Sequence, residues 1–202
     1  MDKFFPLLTR RKEYVGAKGV SGHRRYRAEV AEDCQKRCVY CDAREVDIGG
    51  DPMMELDHFR PEALFDALRE EPTNLVYACR SCNGKKRHDW PAGSSEATHV
   101  NGEGYIDPFA GDRRTYFRLS DNGDLEVLLP PAGYMIRRMA LNRPLLRCLR
   151  RRAILLGELR RRISAIVPRL KEEIEKASPE VAALLRELLA ILQLQQTIDS
   201  LL

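Results

Sequence analysis

The sequence predicts an α+β fold, with a small metal-braced core followed by a helical C-terminal region. Two Cys-x2-Cys pairs lie in the middle of the chain, which is typical of a metal-braced core. Residues 116–119 and 125–128 are strand-like and flank a Ser-Asp-Asn-Gly-Asp turn, which predicts a β-hairpin. From Tyr134 onward, leucine and isoleucine recur every three or four residues, which predicts helices.

We therefore divide the chain into three parts. Residues 1–36 are a basic, helical N-terminal arm, whose helix is expected to run from about Gly22 to Lys36. Residues 37–130 are the core with its following hairpin, and residues 131–202 are helical, first basic and then apolar. We expect Gly157 and Pro168 to break or bend the basic helix. A last helix is expected to begin after Ser178, with Pro179 at its first position.

Length and composition exclude several classes of protein. A chain of 202 residues can bury an apolar core without disulfides. No apolar run exceeds five residues, which excludes a transmembrane helix. The first residues lack the apolar core of a signal peptide, so we expect a cytoplasmic protein with no membrane partner. In that reducing compartment the six cysteines are expected to be thiols or metal ligands.

The net charge of +4 is unevenly distributed. Residues 137–171 hold twelve Arg or Lys and only one acid, Glu158, so this segment carries +11 and the remaining chain −7. Such a segment favours a polyanionic partner, most simply nucleic acid. The alternatives are an acidic protein partner or a solvated helix face.

The two cysteine pairs predict a zinc site. Each pair places two thiolates on a tight turn, and four thiolates complete a tetrahedral site that is closed and therefore structural. The predicted ligands are Cys38, Cys41, Cys79 and Cys82. Two disulfides or unrelated thiols are the alternatives. Cys34 is surplus to this site, and we expect Cys148 to be a core residue.

Polar residues suited to phosphodiester hydrolysis lie between and just after the cysteine pairs. They are Asp57, His58, Asn74, Asn83 and Lys86, with Pro61 following the Asp-His pair. In this order the segment resembles the HNH endonucleases, in the subgroup in which two Cys-x2-Cys pairs brace the site. The resemblance covers about a quarter of the chain. It implies a ββα-metal core, in which a strand bearing Asp-His is followed by a second strand and by a helix that opens after the second cysteine pair.

The resemblance also implies a role for each residue. His58 is the general base that activates water, and Asp57 and Asn83 bind a divalent metal. Asn74 holds the loop that orients His58, and Lys86 contacts a phosphate. Many family members have histidine where this chain has Asn83.

General chemistry supports those roles. An imidazole suits a base near neutral pH, and a cation neutralises the scissile phosphate. Carboxylate and amide oxygens favour Mg²⁺ or Mn²⁺ over zinc.

Other candidate residues are assigned by charge and position. The expected nucleic-acid contacts are Arg60, Lys85, Lys86, Arg147, Arg150 and Arg151. His88 lies five residues after Asn83, and whether it joins the metal site is left open. His23 and His99 are expected to be surface residues.

The C-terminal part resembles bacterial HNH proteins of restriction and anti-phage operons, some of which, such as Septu-type nucleases, work with an ATPase. The resemblance is carried by residues 105–109, 122–123 and 141–143. The last helix has a wide apolar face, which is typical of a homodimer seam or of a docking face for a partner such as an ATPase. Burial of this face against the basic helices of the same chain is the alternative.

The sequence thus predicts a metal-dependent endonuclease acting on DNA, with a role in bacterial defence. Two alternatives stay open: an inactive zinc module that binds nucleic acid or a protein, and an RNA-cleaving toxin.

Overall fold

The computed structural model describes residues 4–201, with side chains described up to residue 195. Within that range there are five α-helices and three two-stranded antiparallel sheets. The helices are α1 (Arg27–Asp33), α2 (Arg80–Lys86), α3 (Ala132–Arg138), α4 (Pro144–Lys176) and α5 (Pro179–Leu201). The strands are β1 (Met54–His58), β2 (Leu75–Cys79), β3 (His99–Val100), β4 (Glu103–Gly104), β5 (Phe117–Leu119) and β6 (Leu125–Val127). The α+β fold class is confirmed.

The centre of the fold is the hairpin of β1 and β2, followed directly by α2. The two strands pair from Met54 opposite Cys79 to His58 opposite Leu75. Every residue of β2 is buried, and both α1 and α2 contact this strand. A continuous apolar run such as Leu-Val-Tyr-Ala is typical of a strand covered on both faces. This order of two strands and a helix agrees with the core that the sequence predicts.

The N-terminal arm is held on this core by buried polar contacts. Phe5 donates its backbone N–H to the Asp42 carboxylate at 2.9 Å. Arg113, almost fully buried, donates to the carbonyl oxygens of Val39 and Pro6 at 2.7 and 3.1 Å. A 3-10 turn over Gly22–Tyr26 precedes α1. The predicted N-terminal helix is therefore present, although it ends at Asp33 because Gln35 and Lys36 have positive φ.

The predicted hairpin is also present, with β5 paired to β6 across the Asn122-Gly123 turn. A second hairpin, β3 with β4, turns on Asn101 and Gly102, both with positive φ. Asn-Gly is a common two-residue hairpin turn because both residues tolerate that conformation.

The described part of the chain divides into two compact units, residues 4–149 and residues 150–201. The second unit consists of most of α4 and all of α5, and Ser178 caps α5 through the Val181 N–H. Of the expected break or bend at Gly157 and Pro168, the break is wrong, since α4 is continuous through both residues, and the bend stays a prediction. The helix formers around Pro168 compensate the loss of one backbone hydrogen bond. Over the described residues, no helix has the length and apolar character that crossing a membrane requires.

Candidate active site and metal centre

Two tight turns bring the four predicted zinc ligands together. The first pair lies in a turn in which Cys38 N–H donates to the Ala43 carbonyl at 2.9 Å and Asp42 N–H to the Cys38 carbonyl at 2.8 Å. In the second pair, Cys79 ends β2 and Cys82 lies in the first turn of α2. The strand hairpin and its helix therefore place the second pair against the first.

The sulfur atoms form a buried cluster of the right size for one metal ion. All four lie within 4.8 Å of one another, and the Cys41 and Cys79 sulfurs are 3.9 Å apart. In a tetrahedral site with Zn–S bonds of about 2.3 Å, the sulfurs lie about 3.8 Å apart. Burial raises the pKa of Cys38, whereas hydrogen bonds from the other cysteines, Cys38 first, lower the pKa of Cys79. Four thiolates could share so buried a place only with a bound cation to offset their charge.

One guanidinium lies against this cluster. Arg143, immediately before α4, directs its nitrogens at the Cys82 sulfur at 3.7 and 3.8 Å and at the Cys79 sulfur at 3.8 Å. Its positive charge offsets part of the negative charge of four thiolates. Cys34 is buried but is not in the cluster. Cys148 is exposed, so its expected place in the core is wrong, because the apolar face of α4 turns away from this position.

The Asp57 carboxylate is buried on the face of β1 that is turned towards α2. It accepts a hydrogen bond from the Tyr40 hydroxyl at 2.5 Å, and the Lys86 ammonium lies 3.3 Å from Oδ2. Lys86 is itself fully buried and also donates to the His58 carbonyl at 2.8 Å. Contact of Lys86 with a phosphate therefore requires its side chain to move away from Asp57, and that role stays a prediction.

The His58 ring is oriented by a backbone carbonyl. Its Nε2 lies 2.9 Å from the Arg69 carbonyl oxygen. Because that oxygen can only accept, Nε2 carries the proton, and Nδ1 is the acceptor of the neutral ring. The Glu62 carboxylate lies 3.9 Å from the same Nε2. The tautomer is thus the one that a base acting through Nδ1 needs.

Asn74 is buried and fastens the loop that leads from β1 to β2. Its Oδ1 accepts from the Arg60 N–H at 2.9 Å, and its Nδ2 donates to the carbonyls of Arg60 and Leu68 at 2.9 and 3.2 Å. Leu68 directly precedes the residue whose carbonyl orients His58. This is the geometry that the predicted role of Asn74 requires.

Asn83 and Glu55 form a pair that sequence reasoning missed. Asn83 Nδ2 donates to Glu55 Oε2 at 2.8 Å, which makes Oδ1 the amide atom suited to a metal ion. Glu55 lies two residues before Asp57 on β1, so both carboxylates are on one face of the strand. The alternation of side chains along a strand is the signal that could have found Glu55. Glu55 and Asn83 are therefore in contact between β1 and α2, and Asp57 lies on the same face of β1 as Glu55.

A second histidine lies at the site. The His23 ring packs edge-to-face on His58, with centroids 4.7 Å apart and planes at 70°. The expectation of a surface residue is wrong for His23, since it is partly buried and reaches the site through the fold of the arm. His99 is exposed as expected. His88 is also exposed, because α2 ends at Lys86 and Arg87 adopts a positive φ.

The predicted nucleic-acid contacts have different environments. Arg60 packs over the Phe59 ring and donates to the Ser95 carbonyl. Arg147 pairs with Asp124 at 2.8 Å. Lys86 is the buried partner of Asp57. Of the remaining candidates, Lys85 is half-buried, Arg150 is buried and Arg151 is exposed. The structure brings the catalytic candidates together in one unit, whereas Arg150 and Arg151 belong to the other.

Comparison with known protein families matches residues 38–89 to the model described as HNH endonuclease. The matched segment begins at the first cysteine pair and extends beyond α2, so it contains the cluster and every candidate catalytic residue. The resemblance read from the sequence is confirmed for this segment. No curated protein and no solved structure matched the chain.

Proposed function

We propose that the chain is a metal-dependent endonuclease that hydrolyses phosphodiester bonds in DNA, since residues 38–89 are an HNH endonuclease domain. The observation that carries this proposal is the orientation of His58. Its Nε2 is hydrogen-bonded to the Arg69 carbonyl at 2.9 Å, and His58 directly follows the buried Asp57 at the end of β1. A fixed imidazole beside oxygen donors for a cation is the arrangement that phosphodiester hydrolysis needs.

In this mechanism His58 Nδ1 accepts a proton from the attacking water. Asp57 and the Asn83 Oδ1 would hold Mg²⁺ or Mn²⁺, and the bound cation would supply the positive charge that neutralises the scissile phosphate and the leaving oxygen. Asn74 keeps the loop in place, so that the Arg69 carbonyl holds the His58 ring while the proton moves. The Lys86 ammonium, 3.3 Å from the Asp57 carboxylate, favours the ionised form of that carboxylate.

Zinc in the four-cysteine cluster is structural in this proposal. The cluster has no open coordination position when all four sulfurs bind, so zinc there does not contact water or substrate. It joins β2, α2 and the first cysteine turn, and these elements, with β1 paired to β2, carry Asp57, Asn83 and Tyr40. Zinc therefore maintains the geometry of the site.

Replacement of His58 by alanine tests the proposal. Purified wild type and variant are incubated with plasmid, single-stranded DNA and RNA in Mg²⁺, in Mn²⁺ and without added divalent metal. We expect His58→Ala to cleave about 10²–10⁴-fold more slowly than wild type, with zinc content and the circular-dichroism spectrum unchanged. The exposed His99→Ala is the matched control and is expected to cut at the wild-type rate.

The same assay separates the alternatives. Cleavage of RNA alone would favour the RNA-cleaving toxin. A zinc-loaded wild type that binds nucleic acid but cuts none of the three substrates would favour the inactive binding module. Cleavage by His58→Ala at the wild-type rate would refute the assignment of the base.

We propose that α4 binds the nucleic-acid backbone through its exposed arginines. Reversal of Arg151 and Arg152, which are both exposed, is expected to weaken binding and to reduce its salt dependence. The slope of log K against log salt is expected to fall by about 0.9 for each phosphate of duplex DNA that the variant no longer neutralises. An unchanged slope would mean that these arginines contact no phosphate.

A protein partner on α5 is the remaining part of the proposal. Apolar side chains on this helix are exposed, among them Leu184 at 68% and Ile191 at 59%. A second copy of the chain, or an ATPase acting with it in bacterial defence, is proposed to cover them. Light scattering on the full chain and on Leu184→Glu/Ile191→Glu tests the dimer, and phage plating on cells expressing wild type or His58→Ala tests defence. A wild-type monomer excludes the homodimer, and equal plating excludes the defensive role.

A further inference from the structure

We propose that His23 is a positioning residue for His58, so that the N-terminal arm completes the active site. The two rings are in edge-to-face contact, with centroids 4.7 Å apart. They come from segments separated by α1 and by the first cysteine pair. The arm residue therefore reaches the predicted base only through the tertiary fold.

The hydrogen bond of the His58 ring to the Arg69 carbonyl restrains Nε2 but does not by itself prevent small rotations of the ring about the line from Cβ to Nε2. That bond fixes Nε2, which is one atom of the ring. The His23 ring stands against the imidazole at an interplanar angle of 70° and limits that remaining rotation. Together the two contacts fix both the position of Nε2 and the direction of Nδ1. This direction matters because the base must point at the water that it deprotonates.

The segment that carries His23 is itself held in place. Gly22 has φ of +65°, and a Cβ there would lie 3.6 Å from Glu70 Oε1. Gly22 thus lies beside Glu70. Glu70 directly follows Arg69, whose carbonyl is hydrogen-bonded to the His58 ring. Next to this turn, Tyr26 is buried and accepts a hydrogen bond from Arg25. Both contacts of His58 therefore come from chain segments that lie next to each other.

The surroundings of His23 favour a neutral ring. Burial and the neighbouring His58 lower the pKa of His23, and Arg24 adds to this effect, whereas Glu70 and Glu62 oppose it. The His23 Nδ1 lies 4.0 Å from Glu70 Oε1. A neutral His23 ring contributes packing against His58, and an aromatic hydrocarbon side chain can provide the same packing. A phosphate contact or a proton donor cannot be replaced in that way.

This inference rests on the proposed nuclease function, and the experiment compares His23→Ala with His23→Phe. We expect His23→Ala to lower kcat by about 10- to 100-fold, since misplacement of a reacting group by about 1 Å costs about 10² in rate. KM is expected to change by less than about threefold, because the side chain acts through the base rather than on substrate. His23→Phe is expected to recover most of kcat, and His99→Ala is the control.

Each other outcome overturns the inference. An unchanged kcat in His23→Ala would mean that the ring contact has no role. A His23→Phe variant as slow as His23→Ala, with zinc content and melting temperature as in wild type, would mean that the imidazole itself takes part in the reaction. Melting temperature and zinc content are measured for both variants so that a folding defect in the alanine variant is recognised.

A measurement without substrate separates this inference from the proposed function. The nitrogen and proton resonances of the His58 ring report its tautomer and order in the zinc-loaded full chain. We expect them to shift or broaden in His23→Ala and to stay unchanged in His99→Ala. If the wild type cut no nucleic acid, the proposed function would fail while this spectrum still tested the ring contact. Unchanged His58 resonances in His23→Ala would refute the positioning role.

Discussion

Replacement of Lys86 by methionine tests the buried ion pair at the centre of the site. Lys86 is fully buried, and its ammonium lies 3.3 Å from the Asp57 carboxylate. Burial raises the pKa of Asp57 and lowers the pKa of Lys86, so each charge is disfavoured on its own. Methionine keeps the length and volume of the lysine stem but removes the charge. Asp57 would then be a buried carboxylate without its cation.

The expected cost follows from the environment of the pair. Removal of one partner of a buried ion pair costs about 3–5 kcal/mol. The Tyr40 hydroxyl still donates to Asp57, so we expect the lower end of this range, about 3 kcal/mol. Asp57→Asn is expected to cost a similar amount, because it leaves the ammonium with the neutral His58 carbonyl in place of a carboxylate. The double variant Lys86→Met/Asp57→Asn has neither charge of the pair. Its loss of unfolding free energy should therefore be at least about 2 kcal/mol smaller than the sum of the losses in the two single variants.

Urea unfolding of the zinc-loaded protein without added Mg²⁺ measures these quantities. With an m value of about 2 kcal/mol per molar urea, a loss of about 3 kcal/mol lowers the midpoint by about 1.5 M. Lys85→Met is the matched control, since Lys85 is adjacent and only half-buried, and a change within about 0.5 kcal/mol is expected. Additive single effects, or a Lys86→Met variant as stable as the wild type, would refute the reasoning that each charge depends on the other.

Three further predictions concern the zinc cluster and the loop. Cys79→Ser is expected to lose zinc and to unfold at lower denaturant, because metal binding at such sites contributes folding free energy; metal analysis showing no zinc in a folded wild type would contradict this. Arg143→Ala should release zinc to a chelating dye faster than wild type, whereas the exposed Arg118→Ala should not, and equal rates would exclude a role for the guanidinium. Asn74→Ala should lower both cleavage rate and stability by removing three hydrogen bonds to the loop, and a normal rate would show that the loop does not orient His58.

The sequence determined the features whose cause is local. A Cys-x2-Cys turn places two sulfurs on one side whatever surrounds it, and the Asp-His pair and Asn83 follow at spacings fixed by two short strands and a helix. The apolar run of β2, the turn at Asn122-Gly123 and the three- and four-residue steps of the C-terminal leucines likewise predict elements from neighbouring residues alone. For this reason the cluster, the fold class and the hairpin agree with expectation.

The tertiary structure alone decided which side chains meet. The contacts of His23 with His58, of Lys86 with Asp57 and of Arg143 with the cysteine sulfurs join residues 29 to 64 positions apart. No local pattern specifies such contacts, because they depend on where the tertiary fold places the arm, α2 and the residue before α4. Burial has the same origin: Lys86 follows Lys85 in the sequence, yet the side of α2 that faces β1 makes one lysine an internal ion-pair partner and leaves the other half-buried. The sequence therefore specified the chemical groups of the site, whereas the packing of distant segments specified their pairing and their charge environment.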